Sequence, residues 1–201
     1  MRWLAALALV PGALSAQPAF HDDRAGLPFE HVYSGGWEHF VGGGVAVFDC
    51  NGDARPDLFA AGGASPVSLV LNDSQPGGAL RFRAGEVPAM TGVTGAYPLD
   101  IDGDGPLDLA VLRVGPKLIL RGQGDCRFED VTDDWALPNR DAWTTAFAAT
   151  WEAGEDWPTR FFGNYVDRDD PEGPFEACDT SDVIRPDGRR FGAGEVGSPP
   201  V

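Results

Sequence analysis

The stretch Asp100-Ile101-Asp102-Gly103-Asp104-Gly105-Pro106-Leu107-Asp108-Leu109 decides how this chain is read. Carboxylates stand at loop positions 1, 3, 5 and 9, glycines at 4 and 6, and an apolar strand follows. A divalent cation needs this arrangement. Ca²⁺ takes roughly 6–8 oxygen ligands, and alternate side chains of a tightly wound loop converge on one point. The glycines let the backbone turn where a Cβ would clash. The carbonyl at position 7, Pro106, adds a further oxygen. Without a cation, four carboxylates this close repel one another and protonate or open the loop.

The same pattern stands 51 positions upstream as Asp49-Cys50-Asn51-Gly52-Asp53-Ala54-Arg55-Pro56-Asp57-Leu58. Asp49, Asn51, Asp53 and Asp57 hold positions 1, 3, 5 and 9, and Arg55 holds position 7. Ala54 replaces glycine at position 6, which predicts a strained or weaker first loop. Each loop is flanked by apolar strands. Gly42–Phe48 enters the first and Leu58–Gly63 leaves it; Val93–Leu99 enters the second and Leu109–Leu112 leaves it. Third and fourth strands follow at 67–72 and 80–83 in the first unit, and at 117–120 and 127–131 in the second. Four short antiparallel strands in about 50 residues is the size of one propeller blade.

A third unit places its loop at Trp151-Glu152-Ala153-Gly154-Glu155-Asp156-Trp157-Pro158-Thr159. Pro158 falls where Pro56 does, but Trp151, Ala153 and Thr159 occupy positions 1, 3 and 9. The expectation is a hairpin that keeps its packing and has lost its ion. Residues 29–40 read as an irregular strand broken at Gly35-Gly36. Residues 167–201 read as a charged, Pro/Gly-rich excursion with no closing strand. The fold class is therefore all-β: about three propeller blades at residues 17–166, in an incomplete ring.

The 201 residues carry a formal charge of −16, which argues against a nucleic-acid partner. Gly (27) and Pro (17) are abundant, as turn-rich β structure requires. Met1-Arg2 followed by the apolar run Trp3–Val10 and small residues to Ala16 reads as a secretory signal over residues 1–16. That run is too short to span a bilayer. The expected location is secreted, extracellular or periplasmic. Cys50, Cys126 and Cys178 leave the disulfide pairing open. Cys50, at loop position 2, is expected to point away from the ion into the core.

Together, Gly43-Gly44-Val45-Ala46-Val47-Phe48-Asp49, the two acidic loops, Phe128-Glu129-Asp130-Val131-Thr132 and Gly163-Asn164-Tyr165-Val166-Asp167-Arg168 resemble the FG-GAP/VCBS-repeat proteins. They look most like the secreted branch related to cartilage acidic protein. The resemblance spans roughly Phe29 to Arg185. It implies a β-propeller, usually of seven blades, with Ca²⁺ in blade loops as in integrin α-chains. It implies one ion on Asp49, Asn51, Asp53 and Asp57 and a second on Asp100, Asp102, Asp104 and Asp108. It also implies an N-terminal fragment, the remaining blades being supplied by a longer chain.

The resulting functional reading is an exported, Ca²⁺-stabilised scaffold that binds extracellular protein or glycan, as in adhesion. The competing class is the propeller part of a secreted polysaccharide-active or phospholipase-type enzyme whose active site lies outside this segment. No G-x-S-x-G, P-loop or H-E-x-x-H pattern is present, and no catalytic residue is assigned. His31 and His39 flank Trp37, a pattern more often packed than catalytic. Trp37, Trp135, Trp143, Trp151 and Trp157 have faces that can stack on sugars, with inter-blade packing the commoner use.

Overall fold

Strand β1 (Val45–Phe48) alternates: Ala46 and Phe48 are buried, Val45 and Val47 exposed. A period of two is what a strand with one covered face requires. The computed structural model describes residues 19–138, 140–167, 181–188, 190–191 and 195–196. In it β1 opens a four-stranded antiparallel sheet with β2 (Asp57–Ala60), β3 (Ser68–Asn72) and β4 (Phe82–Ala84), paired in chain order. The second sheet repeats that order with β5 (Val93–Leu99), β6 (Asp108–Arg113), β7 (Leu118–Gly122) and β8 (Phe128–Asp130).

The third sheet begins with the hairpin β9 (Thr144–Thr150) and β10 (Thr159–Asn164), then adds β11 (Asp182–Ile184). A two-stranded ribbon, β12 (Pro186–Asp187) and β13 (Arg190–Phe191), comes next in the chain. After it β14 (Glu195–Val196) closes the sheet against β11. Among the described residues the chain is thus all-β, with three four-stranded blades and no closed ring. The outer strands of the third blade come from the stretch read as an excursion without a closing strand. The expected signal segment and Cys178 lie outside the described residues.

The blades stack side by side, with β1, β5 and β9 adjacent at their inner edge. One core lies between blades 1 and 2 and includes Phe48, Phe59, Leu69, Val93, Val111 and Leu120. The other lies between blades 2 and 3 and includes Ile101, Ile119, Trp135, Trp157, Phe162 and Ile184.

The pairing registers show that the rows repeat. Ala46–Phe59–Leu69 in blade 1 becomes Tyr97–Ala110–Ile119 in blade 2 and Ala148–Phe161–Val183 in blade 3. The rows of blades 1 and 2 face the next blade. Phe59 is fully buried by blade 2, whereas Phe161, at the same position in the last blade, is 40% exposed. Burying a side chain of this size contributes roughly 2–3 kcal/mol.

Two further ties hold the blades together. A disulfide joins Cys50 of the first acidic loop to Cys126, just before β8, across 76 residues of chain. A closed loop that long removes about 4 kcal/mol of unfolded-chain entropy at room temperature. The chain's single lysine, Lys117, is fully buried between blades 2 and 3. Its Nζ donates to Asp182 Oδ2 at 3.0 Å and lies 5.5 Å from the Phe162 ring centroid, while Arg140 pairs with Asp182 Oδ1 at 2.9 Å. A buried charge persists only when paired in this way.

The segment 29–40 is not a strand. Its only ladder contact is a parallel bridge from Ser34 to Gly63, and Trp37–His39 forms one 3₁₀ turn. Gly35 sits at φ 137°, which ends extended pairing there. The segment is fastened by His31 instead, whose ring nitrogens bond Ser68 Oγ at 2.9 Å and the Ala61 carbonyl at 2.8 Å.

Candidate metal centre in the acidic loops

Each acidic loop is wound by its first aspartate. Asp100 Oδ1 accepts from the Gly103 and Asp104 N–H groups at 2.8 and 3.1 Å, and Oδ2 from Gly105 N–H at 3.0 Å. Asp49 repeats this, accepting from Gly52 at 2.8 Å, Asp53 at 3.2 Å and Ala54 at 2.7 Å. One side chain thus satisfies successive backbone donors of the turn, as Asp does in Asx-type turns. Gly52 and Gly103 take φ of 75° and 72°. Ala54 is forced to φ 62°, so the strain expected at position 6 is present.

The last aspartate of each loop has a different partner set. Asp108 Oδ2 accepts from Ile101 N–H and Oδ1 from Gly122 N–H, each at 2.8 Å. Asp57 accepts from Cys50 N–H at 3.0 Å and Asn72 N–H at 2.8 Å in the same geometry. Position 9 therefore ties the loop's second residue to the end of the third strand. Both carboxylates are fully buried. Burial pushes the Asp108 carboxyl up to about 7, opposed by its two backbone donors and reinforced by the charges of Asp102 and Asp104.

Asp100, Asp102 and Asp108 converge in the second loop, with ligand oxygens within 4.8 Å of one another. Asp104 adjoins them through Arg121, whose Nη2 lies 2.7 Å from Asp104 Oδ2 and 2.8 Å from Asp102 Oδ2. Burial and the charge of Asp102 raise the Asp104 carboxyl, and the Arg121 guanidinium opposes them. An all-oxygen, multiply anionic donor set on a rigid turn suits a hard cation such as Ca²⁺.

The first loop fits less well. Arg55, whose carbonyl stands at position 7, brings its guanidinium to Asp53 Oδ2 at 2.6 Å and holds that carboxyl below the usual range. Asn51 also donates to Asp53 Oδ2 at 3.2 Å. The buried group gathered around Asp57 is Cys50 and Cys126. Asp57 Oδ2 lies 3.0 and 3.5 Å from their sulfurs. With those sulfurs joined there is no thiol proton, so the carboxylate draws its donors from the two backbone N–H groups.

Position 2 points inward as expected: Cys50 and Ile101 are buried in the first and second cores. The third hairpin keeps its frame, turning through Gly154 at φ 91° with Glu155 N–H bonded to the Glu152 carbonyl at 3.1 Å. Glu152 there accepts from Thr159 Oγ1 at 2.6 Å and Arg185 Nε at 3.0 Å. Trp135 and Trp157 are core residues with ring centroids 4.6 Å apart.

Sequence reasoning missed Arg121 and the placement of Asp57 beside the disulfide. Arg121 carries no local signal, lying 17 positions after Asp104. Arg55 is two residues from Asp53, a spacing that could have revealed the pair.

Residues 49–111 match the FG-GAP-like repeat family. The matched segment runs from the first ligand position of the first loop into β6, so it holds both acidic loops. The match is to the repeat and singles out no branch of the family. A comparison with curated proteins returns no match. Among the described residues no helix is long and apolar enough to cross a membrane.

Proposed function

We propose that this chain is an exported, Ca²⁺-stabilised β-propeller scaffold that binds extracellular protein or glycan. The observation that carries the reading is the convergence of Asp100, Asp102 and Asp108 on one point of a glycine-turned loop. A bound Ca²⁺ supplies positive charge that offsets the mutual repulsion of these carboxylates. The chain's own residues do the rest. Asp100 winds the turn, Asp108 locks it to β7, and Arg121 balances Asp102 and Asp104. The first loop is the weaker second site, because Asp53 is engaged by Arg55.

Such a site is structural: it stiffens the rim of the blades, and recognition falls to the surfaces the blades present. The outward row Ala148–Phe161–Val183 and the exposed Val45 and Val47 of blade 1 are seats for further blades of the same build. The apolar start of the chain, residues 1–16, supports export.

Calorimetric titration of the metal-depleted protein with Ca²⁺ tests the reading. The expected result is saturable binding with a higher melting temperature, reversed by chelator. Asp104→Ala should lower stability far more in Ca²⁺ than in chelator. No heat of binding at millimolar Ca²⁺, or equal effects of Asp104→Ala in the two conditions, sinks the metal assignment.

A further inference from the structure

At the end of the inner strands opposite the acidic loops, four aromatic rings meet. Trp143 is fully buried, and around it stand Trp37, Tyr165 and Phe40, with ring centroids 5.2, 5.1 and 5.9 Å from its own. These three outer rings are 55%, 46% and 67% exposed. Exposed aromatics packed on a buried hub form a rigid apolar platform, and contiguous exposed apolar surface marks an interaction site. The Trp143 Nε1 donor has no acceptor among the described residues.

Beside the platform lies a cavity of about 510 Å³, with Tyr165 in its wall and Gly44, Thr94, Gly95, Tyr97 and Thr145 around it. That volume is in the range of small-ligand sites. No charged side chain lines it, although the chain carries a net −16. Its polar groups are hydroxyls and backbone. β1, β5 and β9 are the edge strands of their sheets, so half of their backbone donors and acceptors have no partner strand.

We propose that this cavity and its aromatic platform bind a neutral saccharide. A pyranose presents an apolar C–H face that stacks on an aromatic ring, and a rim of hydroxyls that hydrogen-bond to neutral donors and acceptors. The site offers those two surfaces side by side, and the cavity lining holds no charge for an ionic ligand to pair with. An extended peptide adding to the inner edge is disfavoured by space. β1 and β5 already touch there, with Gly44 N–H donating to the Thr94 carbonyl at 3.1 Å. A Cβ on Gly44 would stand 3.2 Å from Gly95 Cα. The inference deepens the glycan half of the proposed function and rests on that reading for ligand class alone, not on the ions.

The test is titration of the Ca²⁺-loaded 201-residue chain with cellobiose, maltose, lactose and N,N′-diacetylchitobiose, followed by saturation-transfer NMR and tryptophan fluorescence. The expected result is saturable binding of at least one disaccharide with Kd near about 1 mM. Trp37→Ala and Phe40→Ala should each weaken it about tenfold, with circular dichroism showing that both variants keep the β fold. No saturation by any of the four sugars, unchanged affinity in both aromatic variants, or saturable binding of a proline-rich peptide instead overturns the proposal. The Ca²⁺ titration is read separately: ion binding without sugar binding removes this inference alone, and sugar binding without ion binding removes the metal assignment alone.

Discussion

Arg121 Nη2 lies 2.7 Å from Asp104 Oδ2, so a guanidinium from β7 holds the carboxylate at the centre of the second acidic loop. It shares itself with Asp102 Oδ2 at 2.8 Å and supplies positive charge where the loop is most anionic. Arg121→Gln should therefore weaken the ion-free protein, by about 0.5–1 kcal/mol for so exposed a pair. The same substitution should tighten Ca²⁺ binding several-fold, because a competitor for the carboxylates is gone. Denaturant melts in chelator and calorimetry with Ca²⁺ read the two effects. Weaker Ca²⁺ binding would show that Arg121 supports the ion site and does not compete with it.

Asp108 makes the ion-free protein pH-sensitive. Burial raises its folded carboxyl to about 7, against the ordinary aspartate value of about 3.9 in the unfolded chain. The folded state thus holds the proton more tightly. This contribution is fully present below about pH 4 and is lost as pH rises through about 7. A shift of about three units corresponds to about 4 kcal/mol at most. In metal-depleted buffer the melting temperature should fall between pH 5.5 and 8.0. Ca²⁺ should flatten that slope by replacing the proton as the charge that offsets Asp102 and Asp104. Asp108→Asn should flatten it without Ca²⁺.

Ala54 occupies φ 62°, a left-handed conformation that costs a residue with a Cβ. Ala54→Gly should stabilise the chain by about 1 kcal/mol, and Gly103→Ala, at φ 72° with open space around it, should destabilise it by a similar amount. Chemical denaturation of the three proteins measures both. A loss of stability in Ala54→Gly would mean that the Ala54 methyl group contributes packing that outweighs its backbone strain.

Phe59 and Phe161 occupy one repeat position with opposite surroundings. Phe59→Ala should cost about 3–5 kcal/mol, since blade 2 covers the ring. Phe161→Ala should change stability by no more than about 0.5 kcal/mol in this chain, since its outer face meets solvent. Equal losses, measured by urea melts, would show that the last blade's outward row is covered in solution.

The hairpins were legible because their signals are local. Phe48 and Leu58 flank a loop whose ligand spacing repeats 51 positions later, and the observed strands meet that loop within a residue of the expected bounds, while the glycines at 42–44 and 62–63 stay outside β1 and β2. The third hairpin was legible from Pro158 and the shared frame, even with its carboxylates gone. β11 and β14 were not. Strands of three and two residues carry no readable period, and they form because β10 offers an edge to pair with. The segment 29–40 misled in the opposite sense. Val32, Tyr33, Trp37 and Phe40 look like a strand's apolar face, yet the chain there packs through His31 and the aromatic hub.

By itself, the sequence determined the all-β class, the blade repeat and the place of both acidic loops. Aspartates and glycines a few residues apart dictate a turn whatever surrounds them. Only the tertiary structure decided which groups meet across blades: Cys50 with Cys126, Lys117 with Asp182, and Trp143 with Trp37, Phe40 and Tyr165. It also decided that Asp57 lies against the Cys50–Cys126 disulfide. These contacts join residues far apart in the chain, and their partners are set by how one sheet stacks on the next.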